Sequence, residues 1–491
     1  MLQIKIVHNS QTPIYLQIAN QIKELVYKGE LIDGCKLPSE RAVAKSVEVH
    51  RNTVIKAYNE LKSAGLLIAK QGLAYEICYK RQESEYLKSM GSIPWQSLMK
   101  DEFQELNESF DHLFSESYSK KFISFAGGIV PNDAKCKEDV REILSQIIAL
   151  EKCGDQDVYS YSPYQGILSF RQNISHLLKE KGIHAHSGEI QVLTEMNQAL
   201  DYIIELFIKP GDCVLTEEPI SPDVYRGLKL AGAKVVTVPI DGNGIIVESI
   251  ETLIQRHKPK FIYVSSGYQD PTGTIMSLDR KKLLLEISNK YRLPIVEDDS
   301  TSGICFDRDF VSSIKSLDQN NLVIYIYSFA MTFAPGIRLA FVVAPKQIIK
   351  RLSYLVSIHL ISIDSLSQRL LSSFIEKGLY EENLKLISRE YGEKMELMYK
   401  KLTNAKDVGV ICKKPKGGIY LWCKLPNNMK IKTLEKRALK KGVVFIPGTL
   451  FYPYGNNGES FIRLNFSYPS LEQIEEGMEL LIEAMKESTG T

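Results

Sequence analysis

At 491 residues the chain is too long for one ordinary core, and a composition of 44% hydrophobic and 24% charged residues predicts a soluble protein of two or three domains, neither disordered nor collagen-like. The net charge is only +2, yet residues 1–80 carry 11 Lys/Arg against 7 Asp/Glu, so the positive excess is confined to the front of the chain, where phosphate binding can use it. No apolar run approaches the roughly 20 residues of a membrane span and the start shows no secretory hydrophobic region, which predicts a cytoplasmic protein without a membrane partner. The eight cysteines are scattered without a CxxC pair and are expected to be reduced core thiols, with no metal site.

Thr12-Pro13 reads as the opening of a first helix, with a capping hydroxyl and a proline where a missing N–H is tolerated, and Ile14, Ile18, Ile22 and Leu25 recur at helical spacing. Beyond Gly29 and Gly34, Ser39 is expected to cap a short second helix, with Val43 and Val47 inward and Glu40 and Arg41 in its exposed first turn. After a turn at Glu48-Val49, a third helix places Val54, Ala57, Tyr58 and Leu61 on its inner face. Asn52, Lys56 and Asn59 then point outward, with Arg51 and Thr53 at the N-terminal end, a face suited to a major groove. Gly65 ends that helix, and Leu66–Ala69 and Tyr75–Ile77 flank Lys70-Gln-Gly72 as a hairpin. Three helices and a hairpin make a winged helix-turn-helix.

The runs Lys36-Leu-Pro-Ser-Glu-Arg41, Arg51-Asn-Thr-Val and Ala57-Tyr-Asn-Glu-Leu61 resemble the GntR family of bacterial transcription regulators over nearly all of residues 1–80. The resemblance implies an operator of double-stranded DNA. Ser39, Glu40 and Arg41 would lie at phosphates, and Arg51, Asn52, Thr53 and Lys56 would approach base edges or backbone. Two positions depart from the family: His50 stands where a serine is common, and Ala74 replaces the second wing glycine.

Residues 81–120 are polar and charged, but Met99, Phe103, Leu106, Phe110 and Leu113-Phe114 recur at spacings of three and four, which predicts a helical linker. From residue 121 to 491, β-rich runs alternate with helical patterns: Asp212–Leu215, Lys234–Val238, Phe261–Val264, Pro294–Glu297, Leu322–Ile326 and Leu339–Val343. Runs apolar on both faces predict a large, mostly parallel α/β/α sheet. A smaller α+β subdomain is expected to follow, with strands near Gly418–Trp422 and Phe461–Phe466.

Seven short motifs occur in order: Tyr161–Gly166, Pro271-Thr-Gly273, Val296–Asp299, Ser328–Arg338, Gly417–Trp422, Pro447-Gly448 and Arg463. Together they resemble the fold-type I aminotransferase domain, and with the GntR-like head the whole chain is similar to the MocR subfamily of regulators. That domain uses pyridoxal phosphate, held by a lysine amine and by a carboxylate that keeps the pyridine nitrogen protonated. By the resemblance, Asp298 supplies the carboxylate, Ser328 and Arg338 match the phosphate grip, and Arg463 matches the clamp for a ligand carboxylate. Tyr161 matches a residue contributed across a subunit boundary, which implies a homodimer.

Other positions depart. Met331 replaces the Schiff-base lysine, so no catalytic residue and no covalently bound cofactor are expected. Ser300 stands at the place of a tyrosine on the phenolic oxygen, Ser221 at the stacking ring, Glu195 at a glycine of the phosphate turn, and Gly267 where a histidine is common. The expectation is a sequence-specific DNA-binding transcription regulator with a degenerate aminotransferase-like domain that dimerises it and senses a small anion. Non-covalent pyridoxal phosphate, a phosphate ester and an amino or dicarboxylic acid stay open as ligands at Arg338, Ser328 and Arg463. An active aminotransferase is the alternative of a different class. A bland reading also stands, in which Asp298, Ser328 and Arg338 simply bond one another.

Overall fold

The computed structural model describes residues 4–7, 12–69, 75–79, 121–127, 134–149, 160–307, 311–454 and 457–489. The chain divides into two compact units, Met1–Leu106 and Asn107–Thr491.

The first unit holds helices α1 (Ile14–Lys28), α2 (Glu40–Ser46) and α3 (Arg51–Ser63), then strands β1 (Leu67–Ala69) and β2 (Tyr75–Ile77). The apolar stripe of α1, Ile18, Ile22 and Val26, meets Val54, Ala57, Tyr58 and Leu61 of α3 in one core, joined by Val43 and Leu37. Tyr58 reaches through that core to donate its hydroxyl to the Pro38 carbonyl at 2.7 Å, tying the entry of α2 to α3. β1 and β2 pair antiparallel with Leu67 opposite Ile77, and an isolated antiparallel bridge joins Lys36 to Glu76 of β2. Helix α1 starts on the Pro13 carbonyl, which accepts from Leu16 and Gln17, so the Thr12 hydroxyl does not cap it. The proline sits at the cap itself, one position earlier than the sequence suggested, and Thr12 instead accepts from the Gln17 amide through its carbonyl at 2.7 Å. Gln21 and Gln17 also hold the extended residues Lys5 and Val7, each amide exchanging a pair of hydrogen bonds with one backbone unit. The turn Lys70–Gly72, Ala74 and the expected linker over 81–120, with its Met99–Phe114 stripe, lie outside the described residues.

In the second unit the strands are β3 (Ile123–Ser124), β4 (Ile190–Leu193), β5 (Cys213–Glu218), β6 (Lys234–Asp241), β7 (Gly244–Ile245), β8 (Ile262–Val264), β9 (Ile295–Asp298), β10 (Val323–Ser328) and β11 (Ala340–Val343). After these come β12 (Ile411–Cys412), β13 (Tyr420–Lys424), β14 (Val443–Val444), β15 (Ile446–Pro447) and β16 (Phe461–Asn465). The large sheet has eight strands in the order β4-β11-β10-β9-β8-β5-β6-β7. Pairing is parallel from β10 through β6, whereas β11 runs antiparallel to both its neighbours and β7 antiparallel to β6. Its side chains alternate between two cores: Ile262 and Val264 of β8 and Ile295 of β9 enter one, Tyr263 and Val296 the other. Burial on both faces is why these strands read as continuous apolar runs.

The smaller part is the four-stranded sheet β12-β13-β16-β15, covered by the helices Leu379–Asn404, Ile431–Lys440 and Leu471–Thr489 around Leu421, Ile462, Leu464, Met395 and Met478. Cys412 and Cys423 face each other across β12 and β13, and only Cys423 and Cys213 of the described thiols are fully buried. Cys35, Cys78, Cys305 and Cys412 are half-buried, which corrects the expectation of core thiols throughout, since each sits on a strand edge or loop rather than under a helix. Among the described residues no helix is long and apolar enough to cross a membrane.

Tyr58→Phe deletes a buried hydroxyl and strands the Pro38 carbonyl, so it should lower the stability of the first unit by about 1–2 kcal/mol. Hydrogen exchange of α3 amides under native conditions measures this, and unchanged protection would show that the Tyr58 bond contributes nothing.

Candidate functional site

In the first unit the N-terminal end of α3 presents Arg51, Asn52, Lys56 and Asn59 to solvent, with Thr53 half-buried beside them. Its amphipathic pattern accounts for this, because Val54, Ala57, Tyr58 and Leu61 are all drawn into the core. His50 takes the cap position and its Nδ1 accepts from Asn52 N at 3.3 Å, so it does the work that the expected serine would do. Ser39 caps α2 in the same way, accepting from Ala42 N at 3.3 Å, and Arg41 is exposed next to it. Glu40 differs from expectation. Its carboxylate accepts from the Tyr75 hydroxyl at 2.8 Å and faces Arg51 at 3.7 Å, so it braces the hairpin against α3 instead of standing in an open first turn. A carboxylate turned inward in this way avoids the repulsion it would meet at a phosphate.

In the second unit a cavity of about 220 Å³ opens at the C-terminal ends of the parallel strands. Asp298 ends β9 and Ser328 ends β10, while Ser265 follows β8, Ser221 follows β5 and Glu195 follows β4, and all five line the cavity. Met331, Ser300, Asp270 and Tyr420 line it too. Among the described residues that line it there is no lysine, arginine or histidine. Met331 also packs on the core of the smaller sheet. Lys315 is far down the sheet, its Nζ on Asp318 at 3.0 Å and on the carbonyl of Val323, the first residue of β10, whereas Ser328 is the last.

The polar groups that the resemblance singles out bond within the chain. Asp298 accepts from Tyr263 Oη at 2.9 Å, Ser300 N at 3.0 Å and Ser300 Oγ at 2.5 Å. Burial pushes this carboxyl upward, and those hydrogen bonds oppose the shift. Ser328 Oγ accepts from Ala330 N at 3.2 Å. Arg338 lies just before β11 at φ +48° and pairs through Nη2 with Glu195 Oε2 at 2.7 Å. The reading in which Asp298, Ser328 and Arg338 bond one another is therefore not what the fold does, because each is satisfied separately.

β11 and β4 run antiparallel with Ala340 opposite Leu193, so Arg338 and Glu195, just beyond these strand ends, emerge side by side. Glu195 is at the same time the N-cap residue of the helix Met196–Phe207, with no capping bond from its own side chain. Arg463 on β16 is 7% exposed and sandwiched between Tyr420 and Phe451, its guanidinium carbon 4.1 and 5.0 Å from the ring centres. Its Nη1 donates to Asp270 Oδ1 at 2.8 Å and its Nη2 to the Ala126 carbonyl at 3.2 Å. Sequence reasoning missed Asp270, whose only signal was its place just before Pro271-Thr-Gly273. Gly267 does not line the cavity, although Tyr268 does. A Cβ at Gly267 would lie 3.0 Å from that of Ser302, so the backbone here is packed against the loop after β9. Tyr161 stands apart, 80% exposed.

Residues 120–481 match the model of the family "Aminotransferase class I and II". The chain belongs to this aminotransferase family. Residues 14–77 match the model for bacterial regulatory proteins of the gntR family. A relative over nearly the whole chain is the uncharacterized HTH-type transcriptional regulator YdfD of Bacillus subtilis, 28% identical over 95% of each chain. The 2-aminoadipate transaminase of Thermus thermophilus is 30% identical over 74% of this chain and 90% of its own. The kynurenine aminotransferase structure from Pyrococcus horikoshii superposes with a TM-score of 0.74 at 28% identity, covering 80% of this chain and 98% of that one.

Aminotransferases of this family use pyridoxal phosphate, and the residues of this cavity do not fit it. Among the described residues no amine lines the cavity, and the guanidinium expected to hold the phosphate already holds the Glu195 carboxylate. On β5, beneath the strand ends, the buried Glu217 carboxyl accepts from Ser265 N at 2.9 Å and is pushed up to about 8 by burial. Folded Glu217 thus keeps a proton that the unfolded chain gives up near pH 4.5. Stability from this group is full at low pH and declines as pH rises between those two values, by at most about 1.4 kcal/mol per pH unit. Urea denaturation at pH 5.5 and 8 should show that decline, and Glu217→Gln should flatten it. An unaltered slope in the variant would remove Glu217 as its cause.

Proposed function

We propose that the protein is a sequence-specific DNA-binding transcription regulator whose aminotransferase-family body no longer transaminates and instead joins two chains and receives an effector. The observation that carries this reading is a cavity with no amine among its described lining residues, in a chain that also matches the gntR family over residues 14–77. Transamination requires a nitrogen nucleophile and proton shuttle at the cofactor. Met331 takes the lysine position in this reading, and a thioether sulfur can perform neither task. An active aminotransferase therefore lacks its reacting group, and a non-covalent cofactor would set its phosphate against Glu195.

The proposed DNA-binding residues are Arg51, Asn52, Thr53 and Lys56 for bases and nearby backbone, with Ser39 and Arg41 at phosphates. Glu40 serves indirectly, holding Arg51 and the hairpin in place. The body would dimerise the protein through a surface that includes Tyr161, whose exposure supports that role. Two heads on one dimer read paired half-sites, and an effector changes operator affinity only by preferring one arrangement of the dimer over another.

Two measurements test this. In gel shifts with DNA from upstream of its own coding region, Arg51→Ala should weaken specific retention by roughly tenfold to a hundredfold. Lys56→Ala should weaken binding evenly across sequences and reduce the salt slope by about 1. Retention that is indifferent to both changes would remove α3 as the reading element. Separately, protein treated with pyridoxal phosphate and borohydride should show no added pyridoxyl mass on any cavity residue, and such an adduct would end the non-catalytic reading.

A further inference from the structure

The two arginines that the sequence offers as receivers of anions each already hold one. At one end Glu195 puts a carboxylate on Arg338 at 2.7 Å, at the first turn of the helix Met196–Phe207, where the helix dipole also favours negative charge. At the other end Asp270 puts a carboxylate on the buried Arg463 at 2.8 Å. Both acids line the cavity, while neither arginine does, so an entering ligand meets the carboxylates first. The first lies at adjoining ends of β11 and β4, and in the second the rings of Tyr420 and Phe451 clamp the guanidinium.

We propose that Glu195 and Asp270 are built-in occupants of the two anion seats, Glu195 excluding phosphate esters and Asp270 excluding carboxylates, so that the effector of this body carries neither group. This rests on the regulator reading only in calling the ligand an effector; the occupancy of the seats stands independently. A phosphate ester at Arg338 would bring a second negative charge to within a few ångströms of Glu195, a repulsion that a partly shielded site does not screen away. With Asp223 and Asp298, the described lining holds four carboxylates and no cationic side chain, and its remaining polar groups are the Asn197 amide and hydroxyls. A neutral or cationic ligand meets no such opposition. The small-anion effector suggested by Arg338 and Arg463 in the sequence is thereby replaced.

Titration calorimetry of the full chain with inorganic phosphate, pyridoxal 5′-phosphate and glutarate decides the matter. The natural protein should show no saturable binding of any of them at millimolar concentration. Glu195→Gly should gain at least about tenfold in affinity for both phosphate compounds, with the isosteric Glu195→Gln gaining part of it. Adding Arg338→Ala to Glu195→Gly should abolish the gain, and Asp270→Asn should raise affinity for glutarate but not for phosphate. Tight binding of phosphate by the natural protein, or a gain that persists without Arg338, overturns the proposal; Glu195→Gln keeps the test decisive should the glycine variant not fold. Failure of the natural protein to retain its operator in a gel shift would sink the regulator reading while leaving the phosphate result to judge the seats.

Discussion

A buried guanidinium must have a counter-anion, and in this body that requirement decides how the site is built. Arg463 cannot shed its charge, and taking it out of water without a partner would cost several kcal/mol. Asp270 meets the need, and because Arg463 belongs to β16 and Asp270 to the loop after β8, the pair joins the smaller sheet to the large one. The Ala126 carbonyl ties in the segment after β3 through the same guanidinium.

The same constraint acts more weakly at Arg338, which is largely exposed, so its pair with Glu195 contributes little to stability. Its consequence is one of selectivity. A ligand phosphate has to compete with a carboxylate already in place, attached to the chain and therefore present at high effective concentration. The sheet that once served to present groups at its strand ends still does so, but the groups now answer one another.

Much of this was legible in the sequence. The runs at Asp212, Lys234, Phe261, Pro294, Leu322 and Leu339 became β5, β6, β8, β9, β10 and β11, because strands covered on both faces leave an unbroken apolar signal. β4 was less visible, since Gln191 interrupts its apolar run, and β7 is only two residues long. In the head the inward residues of α3 followed directly from helical periodicity. The partner of Glu40 did not, because Tyr75 lies 35 positions away on the hairpin. For the same reason, residue types pointed to two anion-receiving arginines, while the carboxylates facing them emerge only from strand register and loop packing, which a linear pattern does not encode.

The departures in the cavity also come with replacements, which bears on how the site reached this state. Asp298 is satisfied within the chain: Ser300 donates twice to one oxygen and Tyr263 once to the other. Met331 does not hang in an empty volume but rests on the core of the smaller sheet. Glu195 and Asp270 neutralise the cations. A single loss would have left exposed costs at each of these places, since unpaired polar groups near a dry strand end are expensive. The polar groups around the cavity are thus answered largely from within the chain: the Arg338 guanidinium holds Glu195, the Arg463 guanidinium holds Asp270, and Asp298 accepts from Tyr263 and Ser300.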